Sequence, residues 1–313
     1  MSSESHTYDL AILGGGPAGV AAGVYASRKR LKTVFLTESF GGQSVVSSGI
    51  ENWIGTINIP GEELAKQLKE HLLHYAGDIV DVKEGERVAR VEKGGDGTFI
   101  VKTESGKAFS TKTVLITTGS RRRKLEIPGA AEFDNKGLTY CATCDGPLFS
   151  GKDVVVVGGG NAAFETAAQL LAYCSSVTLL NRTDQFRADP VTVEKLQKNP
   201  KFKIITNAIP AEIKGDKFVT GIVYENALTK EKTELTVGGI FVEIGLIPTV
   251  EFVKDLVALD KWNHVITDPR NQKTSVPGVW AAGDCTDGLY HQNNIAAGDA
   301  VKALEDIYYF LHK

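Results

Sequence analysis

The sequence predicts an α/β protein of two nested domains, and three observations predict it. A short apolar run, Tyr8 to Leu13, leads straight into Gly14-Gly15-Gly16-Pro17-Ala18-Gly19 and the helix-like stretch Val20 to Arg28. The same succession returns as Asp153 to Val157, then Gly158-Gly159-Gly160-Asn161-Ala162-Ala163, then a helix-like run to Tyr173. The segments before Gly119 and after Pro248 carry complementary halves of one fold, so the middle of the chain reads as an insertion. The expected architecture is two Rossmann-like, three-layer ββα dinucleotide-binding domains, the second inserted into the first. Residues 1–120 and 248–313 form one, and residues 121–247 the other.

Composition sets the class. The chain has 313 residues, 42% hydrophobic and 23% charged, with 33 glycines, which describes a globular α/β protein long enough for two cores. A formal net charge of −3 leaves no basic excess to neutralise phosphates, so nucleic acid is not the expected partner. Met1 to Tyr8 has no basic stretch followed by an apolar one, and no apolar run reaches the length of about 20 residues that spans a bilayer. Four cysteines make no disulfide framework, so a reducing cytoplasm is the expected compartment.

Each element follows from local pattern. In the first glycine turn, Gly14 permits the tight bend, Gly16 lets the backbone approach a pyrophosphate, and Gly19 lets the helix pack on the strand. The next apolar run, Thr33 to Thr37, ends at Glu38, where a carboxylate would take the hydroxyls of an adenosine ribose. A glycine turn can also be a mere connection; the carboxylate at that distance favours the dinucleotide. Phe40 to Ile59 reads as a loop, and Gly61 to Tyr75 as an amphipathic helix through Leu64, Leu68, Leu72 and Tyr75. From Asp78 to Thr113, short β runs at Val88 to Val91 and Thr98 to Thr103 alternate with glycine turns, the signature of an antiparallel meander. Val114 to Thr118 is a further strand. Arg121-Arg122-Arg123-Lys124 reads as a solvated hinge surface, with a docking patch as the alternative.

In the second repeat the strand Val177 to Leu180 ends not in an acid but in Asn181-Arg182-Thr183-Asp184-Gln185-Phe186-Arg187, and arginines there suit the extra phosphate of NADP. Short strands follow from Lys203 to Val237, with an apolar run Ile240 to Ile244 and a second linker at Leu246-Ile247-Pro248. A strand at Val279 to Ala282, Gly283-Asp284, and a closing helix from about Asn294 to His312 complete the first domain.

Between the two fingerprints lies Tyr140-Cys141-Ala142-Thr143-Cys144-Asp145-Gly146. Two cysteines two residues apart can close an easily reduced ring, and Asp145 can deliver or accept a proton beside them. Half a zinc site and inert core cysteines are the alternatives. Zinc wants four ligands, and here there is no second pair and no histidine within a dozen residues, so no metal is expected. Cys174 and Cys285 are isolated and read as small buried hydrophobes. Two dinucleotide folds with a cysteine pair between them point to an electron relay.

On these motifs, with Gly41-Gly42-Gln43, Glu51-Asn52-Trp53 and Ala282-Gly283-Asp284, the chain closely resembles the low-molecular-weight thioredoxin reductase family over essentially its full length. It is similar also to the flavoprotein core of the alkyl hydroperoxide reductase subunit, whose further N-terminal domains it is expected to lack. The resemblance implies FAD in the first domain and NADPH in the second, with NADH as the alternative donor. It also implies thioredoxin or a thioredoxin-like protein as substrate and a cytoplasmic homodimer. It assigns Gly14, Gly16, Gly19, Glu38, Gln43, Asn52, Asp284 and Gln292 to the flavin, with Pro17, Ala18, Gly42, Gly119 and Gly283 completing that set. Gly158, Gly160, Asn161, Ala162, Arg182 and Arg187 fall to the nucleotide. Cys144 is the implied flavin-side thiol, Cys141 the thiol that attacks the protein substrate, and Asp145 the acid. Against the family's His-Arg-Arg-x-x-x-Arg signature, Asn181 replaces the histidine and Thr183 the second arginine, and His291 stands where arginine is usual. The expected function is a thioredoxin-disulfide reductase. A disulfide reductase fed by NADH or ferredoxin for a peroxiredoxin system, or a non-catalytic flavin redox sensor, is the alternative.

Overall fold

The computed structural model describes residues 7–47 and 49–313, apart from the side chains of Thr143 and Cys144. Two compact units divide the chain. One comprises Met1–Arg121 with Ile247–Lys313, the other Arg122–Leu246.

The first unit opens with β1 (Thr7–Gly15), α1 (Pro17–Arg28), β2 (Thr33–Phe40), α2 (Gly61–Ala76) and β3 (Val80–Glu84). There follow β4 (Val88–Lys93), β5 (Phe99–Thr103) and β6 (Ala108–Ile116). Strands β3, β2, β1 and β6 are neighbours in that order and parallel, and β5 and β4 continue antiparallel from the first half of β6. Continuous apolar runs such as Leu10 to Leu13 belong to strands covered on both faces. Side-chain parity then sorts them. Leu10 and Ile12 join the core under the helices, while Ala11 and Leu13 join the core shared with Val91, Phe99 and Val101 of the meander. These are the three ββα layers expected.

In the first unit two details depart from the sequence reading. The expected meander over Asp78 to Thr113 begins only at β4, because Val80 is buried and β3 pairs in parallel with β2, Thr33 opposite Val80. The meander's last strand and the separate strand expected at Val114 are one element, β6, whose first half pairs with β5.

Chain crossings lie in β7 (Ser120–Arg122) and, later, in the strand Leu246–Pro248, which pair as a two-stranded ribbon. The second unit runs through β8 (Leu138–Thr139), the four-residue α3 (Ala142–Asp145), β9 (Asp153–Val157), α4 (Asn161–Leu170) and β10 (Ser176–Leu180). It continues with α5 (Pro190–Gln197), β11 (Phe202–Ile205), the antiparallel β12 (Ala208–Gly215), β13 (Val219–Asn226) and β14 (Lys232–Thr236), and β15 (Gly239–Val242). Its parallel sheet has the order β11, β10, β9, β15, β8. Parity again divides one apolar run: Val154 and Val156 face the α4 side, Val155 and Val157 the side of β12 to β14. The helix expected to reach Tyr173 stops at Leu170. Ala172 and Tyr173 bond back three residues instead of four, which swings Cys174 into the core before β10 begins.

After β16 (Leu246–Pro248), the chain returns to the first unit with β17 (Val279–Ala281) on the second half of β6 and α6 (Asn293–Leu311). Ala296, Ala300, Ala303 and Ile307 make the stripe by which α6 enters the helix-side core. Close approach governs α1 too: a Cβ on Gly19 would lie 1.8 Å from the carbonyl oxygen of Gly14. Gly19→Ala is therefore expected to lower the unfolding free energy by about 1–3 kcal/mol. The check is the urea midpoint at unchanged slope, and an unaltered midpoint would mean that α1 can stand off from the turn.

Candidate active site and nucleotide sites

In the first unit a cleft of about 640 Å³ opens above the first glycine turn. Gly14 takes φ +117° there, and a Cβ would lie 2.4 Å from the carbonyl oxygen of Thr117, so only glycine closes this bend. Gly16 precedes α1 without capping it by a side chain, which leaves the first amides of the helix free for an anion. Of the residues expected to hold a cofactor, Gly14, Gly16, Pro17, Ala18, Glu38, Gly42, Gln43, Gly119, Gly283 and Asp284 line this cleft. Gly19 does not; its part is the packing of α1.

Asn52 and Gln292 are not in the lining either. They are joined to each other, Asn52 Nδ2 donating to Gln292 Oε1 at 2.9 Å, and Asn294 Nδ2 donates to the Asn52 carbonyl at 2.6 Å. Together they tie the loop after β2 to the start of α6. Gln43 Nε2 donates to Ser120 Oγ at 3.0 Å. Burial pushes the Asp284 carboxyl up from its ordinary value, against the pull of nearby His291.

Sequence reasoning missed much of the wall. Glu86, Arg87, Glu104, Thr117 and Glu251 line the cleft from the meander and the ends of β6 and β16, and no local motif marks them. Glu86 is buried, takes Lys107 Nζ at 2.5 Å and Ser105 Oγ at 2.6 Å, and is thereby held down to about 2.

The second unit repeats the turn. Gly158 takes φ +147°, and a Cβ there would lie 2.2 Å from the carbonyl oxygen of Glu243. Gly160 precedes α4 uncapped, and a Cβ on it would meet open space. Asn161 and Ala162 are exposed at the start of α4, and Asn161 Oδ1 accepts the amide of Asp189 at 2.7 Å. Asn181 is buried. Its Nδ2 donates to the carbonyls of Thr183 (3.0 Å) and Gln185 (2.8 Å), so it knits the loop after β10. Arg182 and Arg187 on that loop are exposed, with no ion-pair partner among the described residues.

The cysteine segment is carried by β8, which adds to the sheet beside β15 with Thr139 opposite Phe241. Cys141 is disulfide-bonded; the Cys144 side chain lies outside the described residues. Thr139 Oγ1 donates to Asp145 Oδ2 and accepts the Cys141 amide at 3.2 Å, while the Asp145 amide bonds the Cys141 carbonyl at 3.1 Å. The acid is thus tied to the cysteine turn through one hydroxyl. Cys174 and Cys285 are free and buried, and burial pushes their thiols up to about 11 and about 12, far from the thiolate that disulfide exchange needs.

The basic run is not merely solvated. Arg121 pairs with Glu251 at 2.9 Å, Arg122 with Glu243 at 2.7 Å, and Lys124 with Asp134 at 2.5 Å. Arg122 also donates to the carbonyl of Tyr140, next to Cys141.

Two uncapped glycine turns and a disulfide-bonded cysteine just after an edge strand are the parts of a nucleotide-driven disulfide enzyme. Residues 8–300 match the family model described as pyridine nucleotide-disulphide oxidoreductase. The chain belongs to this family. Among solved structures, the thioredoxin reductase of Lactococcus lactis is similar with a TM-score of 0.91 and 38% identity, over 98% of this chain and 99% of that one. The T. acidophilum thioredoxin reductase follows at 0.87 and 37%, over 97% and 98%. The expected resemblance to small thioredoxin reductases and the paired Rossmann-like fold are borne out. Among curated relatives, an alkyl hydroperoxide reductase component of Pseudomonas aeruginosa is 41% identical over 95% of this chain and 57% of its own length. A Bacillus subtilis protein named NADH dehydrogenase is 38% identical over 96% and 58%. The chain thus spans less than two thirds of these curated relatives.

The first cleft suits the dinucleotide that this family implies. A Cβ on Gly16 would find only the Cα of Gly42, at 3.9 Å, and one on Gly119 would find nothing within 4 Å, so room is left where a pyrophosphate must pass. Among the described residues no helix is long and apolar enough to cross a membrane.

Glu86 generates a pH prediction. Its carboxyl is lowered in the fold from 4.5 to about 2, so its contribution is complete above pH 4.5 and fades as the pH falls toward 2. The stability difference between wild type and Glu86→Gln, from urea unfolding at several pH values, is expected to be constant near neutrality and to shrink across that window. A difference independent of pH would remove the Lys107 and Ser105 contacts from the account.

Proposed function

We propose that this member of the family is a flavin-dependent disulfide reductase that passes electrons from NADPH to thioredoxin or a thioredoxin-like protein. The observation that carries the reading is the disulfide-bonded Cys141 just after β8, a strand of the same sheet that presents the second glycine turn. Two groups would be held by the chain. FAD fits the first cleft, its pyrophosphate at Gly16 and the uncapped end of α1, its adenosine ribose at Glu38, and its flavin end toward Gln43 and Asp284, with Asn52 and Gln292 bracing the nearby loop. The pyridine nucleotide fits the second turn at Gly158, Gly160 and Ala162. When bound, these groups supply the two electrons that open the disulfide.

The rest is done by the chain's own residues. Cys141, once reduced, attacks the disulfide of the incoming protein as a thiolate. One S–S bond breaks and a mixed S–S bond forms. Cys144 then displaces the partner, which restores the Cys141–Cys144 disulfide and releases the partner as a dithiol. Asp145, held by Thr139, takes the proton of the attacking thiol and passes it to the departing thiolate, a role that the Thr139 contact supports. A cytoplasmic homodimer is the setting supported by the resemblance.

Arg182 and Arg187, exposed and without an ion-pair partner among the described residues, support NADPH, since a 2′-phosphate would give each a charge-assisted hydrogen bond. NADH is the second reading, favoured by the engagement of Asn181 within its own loop and by the name of the Bacillus subtilis relative. Anaerobic rapid mixing of the flavin-loaded protein with each nucleotide separates them. Replacing both arginines by alanine is expected to weaken NADPH by about tenfold or more and leave NADH unchanged. Cys141→Ser is expected to keep flavin bleaching by the nucleotide and to lose reduction of a thioredoxin disulfide. Retained disulfide reduction in that variant would sink the relay, and bleaching without turnover of any thioredoxin-like protein in wild type would favour a redox sensor.

A further inference from the structure

Strand order in the second unit divides the space around its glycine turn. From β9 the sheet proceeds to β10 and β11 on one side and to β15 and β8 on the other, so the switch point lies between β9 and β15. A dinucleotide in such a fold crosses the carboxyl ends of the strands at that point. Its adenosine half belongs beyond β10, beside Arg182 and Arg187, and its pyrophosphate at the uncapped start of α4. The other half must lie toward the end of β15.

The residue waiting there is Glu243. Its position is the counterpart of Thr117 in the first unit. Leu13 pairs with Ile116 and Val157 with Val242; the Thr117 amide bonds the Leu13 carbonyl at 2.9 Å, and the Glu243 amide bonds the Val157 carbonyl at 2.8 Å. The carbonyls of Thr117 and Glu243 both stand where a Cβ of the turn glycine would be. Thr117 lines the cleft of its unit. The equivalent position in the second unit carries a carboxylate.

That carboxylate is held and incompletely satisfied. Only 9% of the Glu243 side chain is exposed. Arg122 Nη1 at 2.7 Å and Thr166 Oγ1 at 3.0 Å both donate to Oε1, and Oε2 has no partner among the described residues. No buried side-chain oxygen lacks a partner among the described residues, so Oε2 is the part of this side chain still open to solvent, where a donor can reach it. Burial already pushes this carboxyl up, against Arg122 and Thr166, with Glu165 adding to the push.

We propose that Glu243 is a specificity residue for the pyridine nucleotide, its Oε2 accepting a hydrogen bond from a hydroxyl or amide of the nicotinamide riboside half while Arg122 and Thr166 hold the carboxylate in place. The proposal rests on the second unit being the pyridine-nucleotide unit. It also gives Arg122 a double duty, because the same guanidinium holds the carbonyl that precedes Cys141.

Calorimetric titration of the full chain, oxidised so that no turnover occurs, tests it with a whole dinucleotide and with its adenosine half. NADP⁺ is paired with 2′,5′-ADP, and NAD⁺ with ADP. Glu243→Gln is expected to weaken the whole dinucleotide by about tenfold or more while the adenosine half binds unchanged. Thr166→Val, which removes a bond to Oε1 and leaves Oε2 in place, is expected to weaken the whole dinucleotide less than Glu243→Gln does and to leave the adenosine half unchanged. Glu243→Ala is titrated beside them, with the same selective loss expected, so that a misfolded amide variant still leaves a result. Unchanged dinucleotide affinity in the Glu243 variants, equal loss of the adenosine half, or the same loss in Thr166→Val would overturn the assignment. A wild-type protein that binds neither whole dinucleotide nor adenosine half would instead overturn the nucleotide reading of the second unit.

Discussion

One steric contact shapes both halves of this protein. In each unit the carbonyl oxygen of the residue that follows a neighbouring parallel strand sits where the turn glycine would carry a Cβ, 2.4 Å at Thr117 over Gly14 and 2.2 Å at Glu243 over Gly158. The contact is possible because the neighbouring strands stay in register up to the residue before the turn glycine, Leu13 with Ile116 and Val157 with Val242. It sends the chain sharply from strand to helix and leaves the first helix amides uncapped at the carboxyl edge of the sheet. Any side chain at either glycine would push the strand away and close the place where a pyrophosphate can approach.

Around this shared frame the two units diverge by what they add to the edge. The first adds a meander, which brings Glu86, Arg87 and Glu104 to the wall of the cleft. The second adds β8, two residues long, which is enough to fix the segment that carries Cys141 and Asp145. The acid is oriented by the Thr139 hydroxyl, and its own backbone amide closes on the Cys141 carbonyl. The two remaining cysteines are kept out of that chemistry by burial, which holds them as thiols.

Charge on the linkers has a similar logic. Four consecutive cations in a connecting segment would repel one another, yet three meet carboxylates from three different stretches of chain. The pair of Arg121 with Glu251 is exposed and contributes little to stability. Arg122 with Glu243 is mostly buried, so that breaking either partner leaves the other uncompensated. Its value lies in orientation, since Arg122 joins the segment before Cys141 to the end of β15.

What the sequence determined by itself was the local chemistry. Apolar runs leading into glycine turns marked β1 and β9, apolar runs ending in polar residues marked β2 and β10, the spacing of Leu64, Leu68 and Leu72 marked α2, and the separation of Cys141 and Cys144 marked the redox segment, because each signal lies within a few residues. Tertiary structure decided everything that depends on neighbours distant in the chain. That β3 joins β2 in parallel, and that β6 is a single strand flanked by antiparallel β5 in one half and parallel β17 in the other, could not be read from period-two patterns, which are alike for both pairings. Glu243 looked like one more residue at a strand end. Only the fold put its carbonyl on Gly158 and its carboxylate on Arg122, 121 residues away, because a sheet assembles its edge from strands that sequence keeps apart.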